Sequence, residues 1–125
     1  MHEMALCTEV VNTVVATAKE NDAASVDKVS MVIGEFRDII VDMFDSFFHF
    51  LTKNTLAEHA SVTYTTVPIT VMCHNCHQVF PVNLQSKDPV ECPKCKARDY
   101  EMYSGNEFMI ESIEVTTHQE LAGRS

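Results

Sequence analysis

Apolar residues recur along the chain with two different periods. From Met4 to about Lys19, Leu6, Val10, Val14 and Ala18 return every four positions with Cys7, Val11 and Val15 beside them, which is the broad stripe of an amphipathic helix. Asn21 and Asp22 end it, and Val29, Met31 and Ile33 then alternate with polar positions up to Gly34, a strand closed by a turn. A second helix is expected from roughly Asp42 to Asn54, with Phe44, Phe47, Phe48 and Leu51 on one face, Asp42 as N-cap and Asp45 suited to the positive first turn. His49 falls opposite that stripe and reads as a surface residue. The β-branched run SVTYTTVPITV at 61–71 predicts one long strand, in which Pro68 removes a ladder donor and argues for an edge or a bulge. VFPVNL predicts a short strand and QSKDP a turn closed by Pro89; EFMIESIEV predicts a last strand with a slip in its alternation, and HQELAGRS a loose tail.

Composition narrows the picture. A length of 125 residues with 46% apolar content suits one modest core. No apolar run approaches the roughly 18 residues of a membrane span, and the start lacks the basic segment and cleavage site of a secretory signal. A cytoplasmic protein with no membrane association is therefore expected. The net charge of -9, with nine Lys and Arg, argues against nucleic acid as a partner, since that affinity rests on neutralising phosphates.

Cysteine placement carries the strongest chemical signal. Cys7 stands alone within the first helix and is expected to pack as a small hydrophobe. Cys73, Cys76, Cys92 and Cys95 form C-x2-C-x15-C-x2-C. In a reducing compartment that spacing predicts a closed tetrathiolate zinc site, structural rather than catalytic. A redox role would need only one pair near a βαβ pattern, and rubredoxin-like iron knuckles usually carry Gly where His77 and Lys96 stand here. Residues 73–104 thus read as a zinc ribbon with too few apolar residues to fold without metal. Lys87, Lys94, Lys96 and Arg98 are balanced by Asp88, Glu91, Asp99 and Glu101. His74 and His77 read as solvated loop residues, His77 being the outside candidate for an alternate zinc ligand.

The order is helix, strand, helix, strand, ribbon, strand, with no repeat. The predicted fold is α+β: two helices packed on a small three-stranded sheet, with an inserted zinc-ribbon domain. Residues 1–72 form the first part of the main domain, 73–104 the ribbon, and 105–125 the last strand and tail. The opening Met1-His2-Glu3 admits two readings on its own: a solvated terminus with no task, or a metal site.

The start Met1-His2-Glu3-Met4, the VIGEF turn at 32–36, the CxxC and CPxC knuckles and the closing GNEFMIESIEV at 105–115, taken in order, resemble the HypA/HybF family of hydrogenase-maturation nickel metallochaperones. The likeness extends over nearly the whole chain. It implies Ni(II) as cargo at Met1, His2 and Glu3, structural Zn(II) in the ribbon, a HypB-type GTPase partner, and delivery to the [NiFe]-hydrogenase large subunit; some relatives also serve urease maturation. The acidic outer faces of the helices would suit docking of the GTPase. The resemblance implies a carrier rather than an enzyme. The alternative is a zinc-ribbon protein–protein adaptor without nickel transfer.

Under that resemblance the chemistry of the start is coherent. Methionine trimming accepts only small second residues, so His2 should leave Met1 with its free amine. The Met1 amine, the deprotonated His2 amide and the His2 imidazole form fused five- and six-membered chelate rings, a nitrogen-rich clamp suited to Ni(II). At least one position stays open to the Glu3 amide or carboxylate, to water or to a receiving ligand. Glu3 also suits the first turn of a helix electrostatically.

Overall fold

The computed structural model describes residues 3–83 and 85–123, which form α1 (Glu3–Glu20), β1 (Ala23–Gly34), a 3-10 turn (Glu35–Arg37), α2 (Val41–Leu51), β2 (Ser61–Val67), β3 (Thr70–Cys73), β4 (Val79–Pro81), β5 (Tyr100–Ser104), β6 (Phe108–Thr117) and α3 (His118–Ala122). The chain divides into two compact units. One comprises the chain up to Val32, Ile39–Thr65 and the chain from Met109; the other comprises Ile33–Asp38 and Thr66–Phe108. The fold is α+β with two small three-stranded sheets, ordered β2-β1-β6 and β4-β3-β5.

In the first unit the four-residue recurrence on α1 becomes its buried face, Cys7, Val10, Val11, Val14 and Ala18. These residues share a core with Val26, Val29 and Met31 of β1 and with Phe44 and Phe48 of α2. Phe44 meets Tyr64 edge to face, with ring centroids 6.0 Å apart. Asn21 ends α1 by returning its side-chain amide to Thr17 O (2.7 Å), and Asp22 adopts a left-handed φ of 56°.

The first sheet is mixed. Ser61 Oγ donates to Asp27 O at 3.4 Å and Thr63 bonds Ser30 at 3.3 Å, so partners advance together and β2 runs parallel to β1, with α2 as the crossover. Thr116 Oγ1 donates to Asp27 Oδ2 at 2.6 Å while Lys28 reaches Glu114 at 3.9 Å, partners in descending order that set β6 antiparallel. Along β6 the alternation slips at Glu111 and Ser112, both exposed, as the sequence suggested.

Three local expectations are corrected. Asp42 does not cap α2: Ile40 is the N-cap and offers no side-chain acceptor. Instead the Ile40 N–H donates to Glu3 Oε1 at 3.4 Å, so the carboxylate at the start of α1 serves the start of α2. The run 61–71 is not one strand. β2 ends at Val67, Pro68 interrupts the ladder, and β3 belongs to the other sheet. The segment HQELA is not a loose tail but α3, opened by a capping box in which Thr117 and Glu120 satisfy each other's backbone N–H groups. The outer face of α2 is also less acidic than expected, because Ile40, Met43 and Phe50 are exposed there beside Asp42.

The second unit is built around β3, whose Val71 faces Phe80 on β4 and Met102 on β5. A register shift follows Thr70. Gly34 and Gly105 cross within this unit, where the Gly34 N–H donates to Glu107 O (2.6 Å) and the Phe36 N–H to Gly105 O (2.8 Å).

Candidate metal centre

Each CxxC pair is shaped by the same backbone device. The Cys73 N–H donates to Gln78 O (2.9 Å) and the His77 N–H to Cys73 O (2.9 Å); the Cys92 N–H donates to Ala97 O and the Lys96 N–H to Cys92 O, both at 2.8 Å. His77 and Lys96 take left-handed φ values of 64° and 66° to complete the turns, the conformation for which glycine is usually chosen. The first knuckle grows from the end of β3 and the second faces it.

Together the knuckles gather all four ribbon sulfurs. The Sγ atoms of Cys73, Cys76, Cys92 and Cys95 lie within 4.8 Å of one another, with Cys73–Cys95 and Cys76–Cys92 at 3.5 Å. A tetrahedral zinc with bonds of about 2.3 Å requires S–S separations of about 3.8 Å, so the donor set and its size fit that ion. Cys73 and Cys92 are fully buried, while Cys76 and Cys95 are half-buried. The surrounding apolar cluster is small: Val71 and Phe80, with Val82, Val90 and Ala97 against it.

The thiols are tuned apart. The Asn75 side chain, then the Ala97 N–H, lower Cys95 to about 6. Burial pushes Cys92 up, but the Cys95 and Lys94 N–H groups outweigh it and hold the thiol below its usual value. At Cys76 the Gln78 backbone acts downward, yet burial and the neighbouring thiols prevail and push it up to about 11. A metal ion held by this cluster would bind the sulfurs as thiolates, so its binding would release the remaining thiol protons.

His74 is an exposed turn residue, as expected, but its ring is paired. Its Nδ1 lies 2.8 Å from Asp99 Oδ1 and its Nε2 3.5 Å from Glu101 Oε1, and its N–H donates to Asp99 O (2.9 Å). The Asp99 hydrogen bond is the main cause raising its pKa. The ring therefore ties the first knuckle to the residues leading into β5, a link that spacing alone gave no means of finding. His49 is a surface residue as expected, 3.5 Å from Asp45. Cys7 is fully buried in the first unit, its thiol pushed up to about 12 by burial and secondarily by Asp45.

Of the proposed nickel ligands, Met1 and His2 lie outside the described residues. Glu3 opens α1, 4% exposed, with its carboxylate accepting from Ile40 N–H.

Fold and site together define a small α+β metal-binding protein carrying a tetracysteine ribbon. A family profile described as hydrogenase/urease nickel incorporation, metallochaperone, HypA, matches residues 1–115, and the chain belongs to the HypA family. It is 35% identical over 115 residues to the hydrogenase maturation factor HypA of Dehalococcoides mccartyi, spanning 92% of this chain and 94% of that protein. It is 33% identical to the factor of the same name from Picosynechococcus sp., over 92% and 99%. The solution structure of the Ni metallochaperone HypA from Helicobacter pylori matches with a TM-score of 0.65 at 25% identity, covering 94% of this chain and all of that one. A second solution structure of a HypA protein matches with a TM-score of 0.71. The family's members are maturation factors for nickel incorporation. No helix among the described residues is long and apolar enough to cross a membrane.

Proposed function

We propose that this chain is a cytoplasmic carrier that binds Ni(II) at Met1, His2 and Glu3 and delivers it during [NiFe]-hydrogenase maturation. The observation that carries this reading is the family match from residue 1 to residue 115, which includes the Met-His-Glu start within a metallochaperone family. The Met1 amine, the His2 amide and the His2 imidazole supply the nitrogen donors that suit Ni(II). Glu3 contributes through its amide or its carboxylate, and an exchangeable position remains for the acceptor. A HypB-type GTPase and the hydrogenase large subunit are the partners, with urease-maturation proteins a further recipient class. Cys73, Cys76, Cys92 and Cys95 hold structural zinc, which supplies folding free energy to the ribbon and no open position for chemistry.

Calorimetric nickel titration of tag-free, zinc-loaded protein tests the reading against two variants. His2→Ala removes the imidazole, and a short extension before Met1 removes the terminal amine while keeping every side chain. Both should lose most nickel affinity with zinc content unchanged. Affinity should also fall as pH drops, because amine, amide and imidazole must all shed protons to bind. Undiminished binding by the extended protein would place nickel elsewhere, whereas no nickel binding by the native chain would favour the adaptor reading of the ribbon.

A further inference from the structure

The two margins of the ribbon sheet are finished differently. In the order β4-β3-β5, the outer strands are β4 and β5. On β4, Pro81 has no N–H to offer, and the Gln78 side chain donates to Val79 O at 3.2 Å. Both devices blunt an edge against further pairing. β5 carries neither Lys nor Pro. Its bulge comes only at Tyr103, which the register skips between Val71↔Met102 and Thr70↔Ser104. The first three residues of β5 therefore form an unprotected edge.

The ladder fixes which backbone groups stand open there. The His74 N–H donates to Asp99 O (2.9 Å), whereas the Cys73 N–H bonds toward β4 at Gln78 O (2.9 Å). Hydrogen-bonded pairs alternate along an antiparallel ladder, so Met72 pairs with Glu101, and the N–H and C=O groups of Tyr100 and Met102 point away from β3. Among the described residues nothing meets them.

Side chains alternate with the same period. Met102 shares a side of the sheet with Val71 and Phe80, and Tyr100 shares it with Cys73, the side of the apolar cluster. The two are 39% and 38% exposed, and they carry that apolar surface out to the margin. Glu101 points to the opposite side with its side chain 58% exposed. From Asp99 to Phe108 the chain has three acids, Asp99, Glu101 and Glu107, and no Lys or Arg. His74 offsets at most one of the first two.

We propose that the open edge of β5 receives an extended basic segment of a partner protein, added antiparallel as a fourth strand. Its residues opposite Tyr100 and Met102 are apolar and continue the cluster; the residue opposite Glu101 is Arg or Lys. A second copy of this chain does not fit, because setting Tyr100 against the other copy's Met102 brings Glu101 against Glu101. The edge lies within the ribbon and does not depend on where nickel binds.

The probe is a blocked peptide of about seven residues alternating arginine and valine. It is added to the full, isotopically labelled, zinc-loaded chain and followed by amide NMR. At saturation, exchange of the Tyr100 and Met102 N–H groups should slow by about tenfold or more, while that of Glu101, already bonded to β3, changes little. Methylating the valine nitrogens, which would point at β5, should abolish binding; methylating the arginine nitrogens, which would point away, should not. A glutamate–valine peptide should not bind. Met102→Pro removes one outward donor and should weaken binding by about tenfold, with zinc content and far-UV circular dichroism confirming the fold. Equal binding by the two methylated peptides would overturn the proposal, as would equal binding by the glutamate peptide or by Met102→Pro. So would binding that leaves Tyr100 and Met102 unprotected, or no binding at about 1 mM peptide.

Discussion

Replacing Gly34 by Ala should damage the second unit far more than a single methyl group would suggest. A Cβ at Gly34 would lie 2.1 Å from the Gly105 carbonyl oxygen, 2.2 Å from its carbon and 2.6 Å from Asn106 N. Ordinary heavy-atom contact requires about 3.5 Å, so the chains must part by more than ~1 Å. All three obstacles are backbone atoms, and no rotamer change relieves them. The crossing is held by Gly34 N–H to Glu107 O at 2.6 Å and Phe36 N–H to Gly105 O at 2.8 Å. Overpacking costs about 1–3 kcal/mol and each lost backbone bond about 0.5–1.5 kcal/mol. The stiffer unfolded chain returns about 0.4–1 kcal/mol, because φ at Gly34 is an ordinary -74° and alanine accepts it. The net loss is about 1–5.5 kcal/mol, a large share of the roughly 5–15 kcal/mol that stabilises a typical domain. Urea denaturation of zinc-loaded protein measures it. Gly123→Ala is the control, since its added Cβ meets nothing closer than 3.5 Å. A Gly34→Ala midpoint indistinguishable from the control would refute the close crossing.

Three further outcomes are expected. Phe44→Ala, at a fully buried position packed on Tyr64, should cost about 3–5 kcal/mol in the same denaturation experiment. Lys96→Gly should be neutral to mildly stabilising, by about 0.5 kcal/mol, because relief at φ 66° outweighs the added chain entropy by a small margin. Chelation of the ribbon metal should raise amide exchange at Val71–Cys73 and Tyr100–Ser104 while leaving Val10–Val14 protected, because only the former segments depend on the cysteine cluster for their packing.

The parts of the fold that could be read in the sequence are those set by periodicity. The buried face of α1 is the recurrence of Val10, Val14 and Ala18, and the sheet under the two helices follows from the alternation through Val29, Met31 and Ile33. The expected four-cysteine group is drawn together because each knuckle is a local turn, closed by bonds spanning four or five residues. What eluded sequence reasoning depends on partners far along the chain. Asp42 has the right chemistry for an N-cap, but the cap position falls at Ile40, whose own N–H goes to Glu3, 37 residues away. Pro68 marked a disturbance without revealing that β2 and β3 enter different sheets. β5 went unnoticed because Tyr100–Ser104 is almost wholly exposed and shows no apolar alternation. The helix at His118–Ala122 was hidden by its polar composition, although Thr117 and Glu120 had the spacing of a capping box. Ile33–Asp38 joins the second unit through the Gly34–Gly105 approach, which no local pattern announces.

The central claim is that nickel as cargo and zinc as structure occupy separate donor sets on one chain. X-ray absorption at both metal edges, on protein loaded with one equivalent of each, tests it most directly. The zinc edge should show sulfur donors alone at about 2.3 Å, and the nickel edge nitrogen and oxygen donors with no sulfur. A sulfur shell around nickel would contradict the claim, since it would put the cargo among Cys73, Cys76, Cys92 and Cys95 rather than at Met1, His2 and Glu3.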